Sequence, residues 1–264
     1  MNRDFAADYA RRGADWDAHD VLFGEYRALG FFFNGSPLDR YGDTRRAGCR
    51  RVKELTAADK GQEVFLVGMV EIEKSGVDQK SGRRWARGRF SDTSGGVEIS
   101  IRERIYETYG SFLVETIPCV ARCQVGVRDA ILDVQEDGED AIEQVSVRLY
   151  LQDVTPVSVW LRQHATGIKI TPETMTHEQG RLILDVLRKH PGGSSVDVCC
   201  DFMPMGRITY RLKEQVEVCD LVFSKIEKIF RGAPCVVATY DQPPSSWNIF
   251  YDARKNVQGL LDPT

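Results

Sequence analysis

Apolar residues recur along this chain with a period that changes from helical to strand-like and then alternates between the two. Trp16, Val21, Leu22 and Tyr26 fall at helical spacing, and the aromatic run at 30–37, interrupted by Gly30, Gly35 and Pro37, predicts a turn. From 64 to about 157 the period is two. It predicts strands at 64–73, 84–91, 97–102, 118–128 and 145–154. Between the third and fourth, Ile105, Tyr106, Tyr109 and Leu113 recur at helical spacing and predict a helix at 104–114. Beyond a connection carrying Trp160 and His164, a strand is expected at 167–170, then an amphipathic helix at 174–190 stopped by Pro191-Gly192-Gly193. Strands at 196–202 and 207–218, a helix at 221–230 capped by Asp220, and a strand at 235–239 complete the pattern. After Tyr240 the chain is polar and proline-containing, with Trp247, Phe250 and Tyr251 in a tail.

Five strands with a helix between the third and fourth follow the order of an OB-fold barrel, and the remainder reads β-α-β-β-α-β. The expected fold is thus α+β and multidomain. A helical lead-in at 1–60 precedes a five-stranded OB-fold barrel at 61–158, a small α+β domain at 159–240 and a tail at 241–264. In such a barrel the second and third strands, with the loop joining the first two, form the binding face, so alternation decides what meets a ligand. On strand two Ala86 and Phe90 point inward and Trp85, Arg87 and Arg89 outward. Strand three buries Val97, Ile99 and Ile101 and exposes Ser100 and Arg102; strand four buries Ala121, Cys123 and Val125 and exposes Arg122 and Gln124. The loop adds Lys74, Lys80, Arg83 and Arg84.

The whole chain carries a formal net charge of -4, which would argue against nucleic acid if charge were uniform. It is not uniform. Between 74 and 104 stand Lys74, Lys80, Arg83, Arg84, Arg87, Arg89, Arg102 and Arg104 against Asp78, Asp92, Glu98 and Glu103. Cations for phosphates beside an indole for a base is the composition that single-strand binding needs. By contrast, 129–143 holds Asp129, Asp133, Glu136, Asp137, Glu139, Asp140 and Glu143 with no basic residue. That stretch leaves a second reading open, in which the barrel binds protein and the acidic loop covers its basic face. Candidate chemistry is otherwise thin. No carboxylates repeat in a two-metal pattern, the four histidines lie in separate segments, and the seven cysteines never fall in a CxxC spacing, so neither catalysis, a metal nor another cofactor is expected. No stretch approaches the roughly 20 apolar residues of a membrane span, and a cytoplasmic protein without a membrane partner is expected.

The run LGFFFNGSPLD at 29–39 resembles a motif of the bacterial DNA polymerase III alpha subunit, commonly LGFYLSGHPLD, with Leu29, Gly30, Phe31, Gly35, Pro37, Leu38 and Asp39 matching. QKSGRRWARGRFSDTSGGVEI is similar to that family's OB-fold hairpin, with Gly82, Arg84, Ala86, Asp92, Ser94, Gly95 and Glu98 in register. IYETYGSFLVE resembles the helix after it, and LDVLRKHPGG looks like part of the family's C-terminal partner-binding domain. The resemblance implies a non-catalytic portion downstream of the polymerase and exonuclease-like domains. Its expected partners are single-stranded template DNA at the OB-fold and a clamp-loader tau-like subunit, or the catalytic portion of the polymerase, elsewhere. The chain departs from the family where Arg87, Gly88 and Arg89 replace Phe-Val-Thr, where Arg102 replaces an aromatic, and where Ser36 replaces His. Trp247, Phe250 and Tyr251 are candidate partner anchors, because exposed rings in a polar segment fill a partner's pockets.

Overall fold

The computed structural model describes residues 18–241 except 30–31, 34, 111–112, 114–116, 129–145 and 203–205. Two compact units divide the chain. Gly48–Val157 form one, and the described residues up to Ala47 cluster with those from Ser158 onward in the other.

In the first unit β1 (Glu63–Val77), β2 (Arg84–Asp92), β3 (Gly95–Arg102), β4 (Cys119–Arg128) and β5 (Ser146–Pro156) close a barrel in the order β1-β2-β3-β5-β4. This is the expected OB-fold arrangement. The β3–β5 pairing is parallel and runs only from Glu98↔Arg148 to Ser100↔Tyr150, while the other pairings are antiparallel. Alternation places Leu66, Val70, Ala86, Phe90, Ile99, Ile101, Ala121, Cys123, Leu149 and Leu151 in one core. Burying that apolar surface is the main source of the barrel's stability. β1 runs four residues past its expected end. A bulge between Ile72 and Lys74 bends it there, so a single strand serves two parts of the sheet. The helix between β3 and β4, α1 in the barrel, spans Glu103–Tyr109, and Tyr109 Oη donates to Asp153 Oδ1 at 2.8 Å.

The barrel's entry is pinned by side chains. Arg50 Nη1 donates to Asp59 Oδ1 at 2.7 Å, and this bond holds the Asp59 carboxyl down at about 2. Asp92, which starts the β2–β3 turn, accepts from the Ser94 and Gly95 amides through Oδ1 and from the Val52 amide through Oδ2. It is a turn residue with both carboxylate oxygens in structural use.

In the second unit a four-stranded sheet has the order β8-β7-β6-β9, from β6 (Gly167–Ile170), β7 (Pro191–Phe202), β8 (Gly206–Arg211) and β9 (Val236–Thr239). Its helices are α2 (Ala18–Leu29), α3 (Val157–His164), α4 (His177–Lys189) and α5 (Asp220–Ile229). The expected β-α-β-β-α-β order is present as β6-α4-β7-β8-α5-β9. Three local expectations change. α4 ends at Lys189 with His190 as its cap, ahead of Pro191-Gly192-Gly193 as expected, but β7 already opens at Pro191 and not at 196. β8 ends at Arg211, since Val216 makes only isolated bridges to Pro191 and Ser194. Cys219, not Asp220, is the N-cap of α5; Asp220 occupies the first turn, where its charge complements the helix dipole. Helix α4 begins with a capping box, Gln179 N donating to Thr176 Oγ1 and Thr176 N to Gln179 Oε1.

The segment 35–47 is built into this second unit. Arg40 is ion-paired with Glu227 at 2.7 Å, both side chains buried. Tyr41 Oη donates to Asp220, and Tyr240 Oη donates to the Tyr41 carbonyl at 2.7 Å. Burial, reinforced by the nearby Asp220 carboxylate, raises the Tyr41 phenol well above its usual range.

Candidate nucleic-acid interface

The β2–β3 hairpin shows how a period of two sorts chemistry onto faces. Ala86 and Phe90 are buried and pair with Ile101 and Val97, while Arg87 and Arg89 between them are exposed. Trp85 stands opposite Arg102, Arg87 opposite Ser100, and Arg89 opposite Glu98. Across the other edge of β2, Lys74 is the partner of Arg87 and Gly76 that of Trp85. The structure therefore brings Lys74, Trp85, Arg87, Arg89 and Arg102 to the outer face of three adjacent strands.

Two rings on this face lie in seats left by glycine. A Cβ on Gly76 would lie 3.3 Å from Cζ2 of Trp85, and one on Gly126 would collide with the ring of Tyr150. Each ring also carries a guanidinium: Arg87 Cζ lies 5.4 Å from the Trp85 ring centroid and Arg102 Cζ 5.7 Å from that of Tyr150. These cation–π contacts hold flexible cations beside aromatic surfaces in advance of any ligand. Tyr150 is absent from the residues singled out in the sequence. Its signal was alternation with the buried Leu149 and Leu151, but only the parallel β3–β5 pairing, Ser100↔Tyr150, brings it to the basic wall.

The ion pairs separate committed cations from uncommitted ones. Arg148 binds Glu98 at 2.5 Å, and Arg128 lies 3.9 Å from the same carboxylate. Arg83 is 3.9 Å from Glu103 in an exposed pair. Arg122 lies on β4 between Glu63 at 3.6 Å and Asp153 at 3.7 Å, opposite Phe65, so the structure does not bring it into the β2–β3 set. Lys74, Lys80, Arg84, Arg87, Arg89 and Arg102 make no ion pair among the described residues. Arg89 has a mixed setting, since Glu71 and Glu98 are its neighbours on the two flanking strands.

The β1–β2 loop is a shaped turn. Asp78 Oδ1 accepts from the Lys80 amide, the Ser81 amide and the Ser81 hydroxyl, and Gly82 adopts φ +68. Those bonds, the Ser81 amide foremost, lower the Asp78 carboxyl from its usual value and keep it charged. Lys80, Arg83 and Arg84 are thus exposed on an ordered hairpin.

Other candidates disperse. The seven cysteines are buried; burial pushes the Cys119 thiol up to about 12 and raises that of Cys123 further. His164 stacks on Trp160 with ring centroids 4.7 Å apart, and His190 Nε2 lies 2.8 Å from Lys225 Nζ. Among the described residues no group of three or more His, Cys, Asp or Glu converges on a metal position, and no helix is long and apolar enough to cross a membrane. Trp247, Phe250, Tyr251 and the acidic stretch 129–143 lie outside the described residues.

No family model matches the chain. Among curated proteins it is similar to DNA polymerase III subunit alpha of Mycobacterium tuberculosis (strain CDC 1551 / Oshkosh), 22% identical over 184 residues, covering 69% of this chain and 14% of the relative. That of Deinococcus radiodurans is 30% identical over 132 residues, covering 46% and 10%, and that of Thermus aquaticus 27% identical over 203 residues, covering 75% and 15%. The chain thus spans a small part of the length of these relatives. Among solved structures, the N-terminal domain of an archaeal MCM gives a TM-score of 0.31 at 9% identity, covering 44% of this chain and 64% of that one. The mitochondrial single-stranded DNA binding protein Rim1 of S. cerevisiae gives 0.29 at 12% identity, covering 37% and 96%.

Proposed function

Starting from the similarity of this chain to part of the DNA polymerase III alpha subunit, we propose that it is a non-catalytic module of a replicative polymerase that holds single-stranded template DNA on the outer wall of its OB-fold. Its second unit recruits a replisome partner of the clamp-loader tau type. The observation that carries the DNA reading is the wall itself: uncommitted cations interleaved with Trp85 and Tyr150, each ring already flanked by a guanidinium. Lys74, Lys80, Arg84, Arg87 and Arg102 meet phosphates, and the two rings stack bases, a contact indifferent to sequence. Arg83 supports from the loop, Arg89 contributes less because two carboxylates flank it, and Arg122 stands apart with its own acidic partners.

The test is a titration of a fluorescein-labelled oligothymidine with the full chain at several salt concentrations. Binding that weakens steeply with salt supports the reading, whereas absence of binding at low salt removes it and leaves the barrel as a protein adaptor. A primer-extension assay on the same preparation is expected to give no product.

A further inference from the structure

We propose that the groove between α4 and the edge strand β8 receives an extended, apolar segment of a partner protein that carries a carboxylate. The proposal rests on the reading that the second unit docks a protein, and it names the seat and the chemistry of the occupant. The groove has a volume of about 490 Å³ and is lined from the helix by Gly180, Arg181, Ile183 and Leu184 and from the strands by Val198, Ile208 and Tyr210.

Three observations converge on an added strand. β8 pairs only with β7 among the described residues, so its other edge presents the backbone donors and acceptors of alternate residues. Such an edge is a template for strand addition, in which main-chain hydrogen bonds supply affinity and alternate side chains supply specificity. Ile208 and Tyr210, 36% and 70% exposed, alternate along it and face the groove. The described residues leave much of their apolar surface uncovered.

Gly180 gives the second line of argument. It lies inside α4, where glycine is the poorest helix former apart from proline, yet a Cβ there would find nothing within 4 Å. The chain's own packing therefore does not require this glycine. A groove that must admit another backbone does, because the missing side chain leaves the floor open.

Charge selects among occupants. Arg181 is exposed, makes no ion pair among the described residues, and stands in a lining that contains no carboxylate. An occupant with Asp, Glu or a terminal carboxylate is favoured there, and a cationic one is disfavoured.

The experiment uses the full chain and fluorescein-labelled peptides of about eight residues, a typical strand length, alternating Leu or Val with Glu, beside matched peptides carrying Lys. The Glu peptides are expected to bind by anisotropy and the Lys peptides about tenfold more weakly or not at all. Gly180→Leu should weaken the Glu peptides by about tenfold or more, with helix content and oligothymidine binding unchanged. Arg181→Glu should invert the preference. Binding of the Glu peptides by Gly180→Leu within about twofold of the unaltered chain would overturn the groove, as would no binding by either series. A concentration-dependent dimer dissolved by Gly180→Leu would also overturn the proposal, by assigning the groove to a second copy. The docking reading itself is tested separately by mixing the chain with a purified tau-type subunit: a complex indifferent to Gly180→Leu removes the groove alone, and no complex removes the docking reading.

Discussion

Replacing Arg87 and Arg102 together with Gln asks whether the wall meets phosphates. Six cations, Lys74, Lys80, Arg84, Arg87, Arg89 and Arg102, are uncommitted among the described residues, and Arg89 is flanked by Glu71 and Glu98. Five effective contacts on a single strand, at about 0.7 released counterions each, give a slope of log affinity against log salt of about −3.5. Raising salt fourfold should then weaken binding by roughly 130-fold, or about 3 kcal/mol. Removing two contacts reduces the slope to about −2, and the same salt step to roughly 20-fold. Anisotropy of a labelled oligothymidine between 50 and 200 mM salt, approximately the range over which this linear relation is used, measures both slopes. A double variant whose affinity falls while its slope stays near that of the unaltered chain would refute the reasoning. The guanidiniums would then act through the rings they cover and not through phosphate.

Trp85→Ala or Tyr150→Ala should each weaken binding by about 1 to 3 kcal/mol with the salt slope unchanged, because stacking releases no counterions; a changed slope in the same titration counts against a stacking role. Glu227→Ala removes the close partner of the buried Arg40 guanidinium and leaves it Asp220 at 3.8 Å, and should cost about 3 kcal/mol in a denaturant titration, while the barrel's oligothymidine binding persists. Asp59 has a folded-state carboxyl near 2, below its usual 3.8, so its contribution is complete above about pH 4 and disappears as pH falls toward 2. Asp59→Asn should therefore lower the Tm at neutral pH and converge with the unaltered chain near pH 2; a constant offset down to that pH would place the effect elsewhere.

The faces of β2 and β3 were legible in the sequence because a half-buried strand repeats every second residue. Phe90 and Ile99 fix which neighbours of theirs face water. Tyr150 was not legible as part of the wall, since its membership depends on a parallel pairing between β3 and β5 that no local pattern encodes. The setting of Arg122 was hidden for the same reason: its exposure follows from alternation, but Glu63 and Asp153 reach it from two other strands. Boundaries failed where turn residues have two uses. Pro191 and the glycines after it do follow the end of a helix, but a strand start tolerates them too, and β7 begins there and not at 196. The burial of Arg40 against Glu227 was beyond reach, because 187 residues separate the pair and neither residue type announces a buried partner.

That separation has a consequence for how the chain is made. The second unit is discontinuous, and the barrel occupies the interval between its two parts. On a ribosome the barrel completes its sequence first and folds as an uninterrupted piece, while Arg40 and Tyr41 wait for a helix and a strand still untranslated. A folded barrel turns a long floppy tether into a short one, which reduces the entropy lost when the waiting residues are finally captured. Mutations that slow barrel closure should therefore also delay maturation of the unit they do not touch.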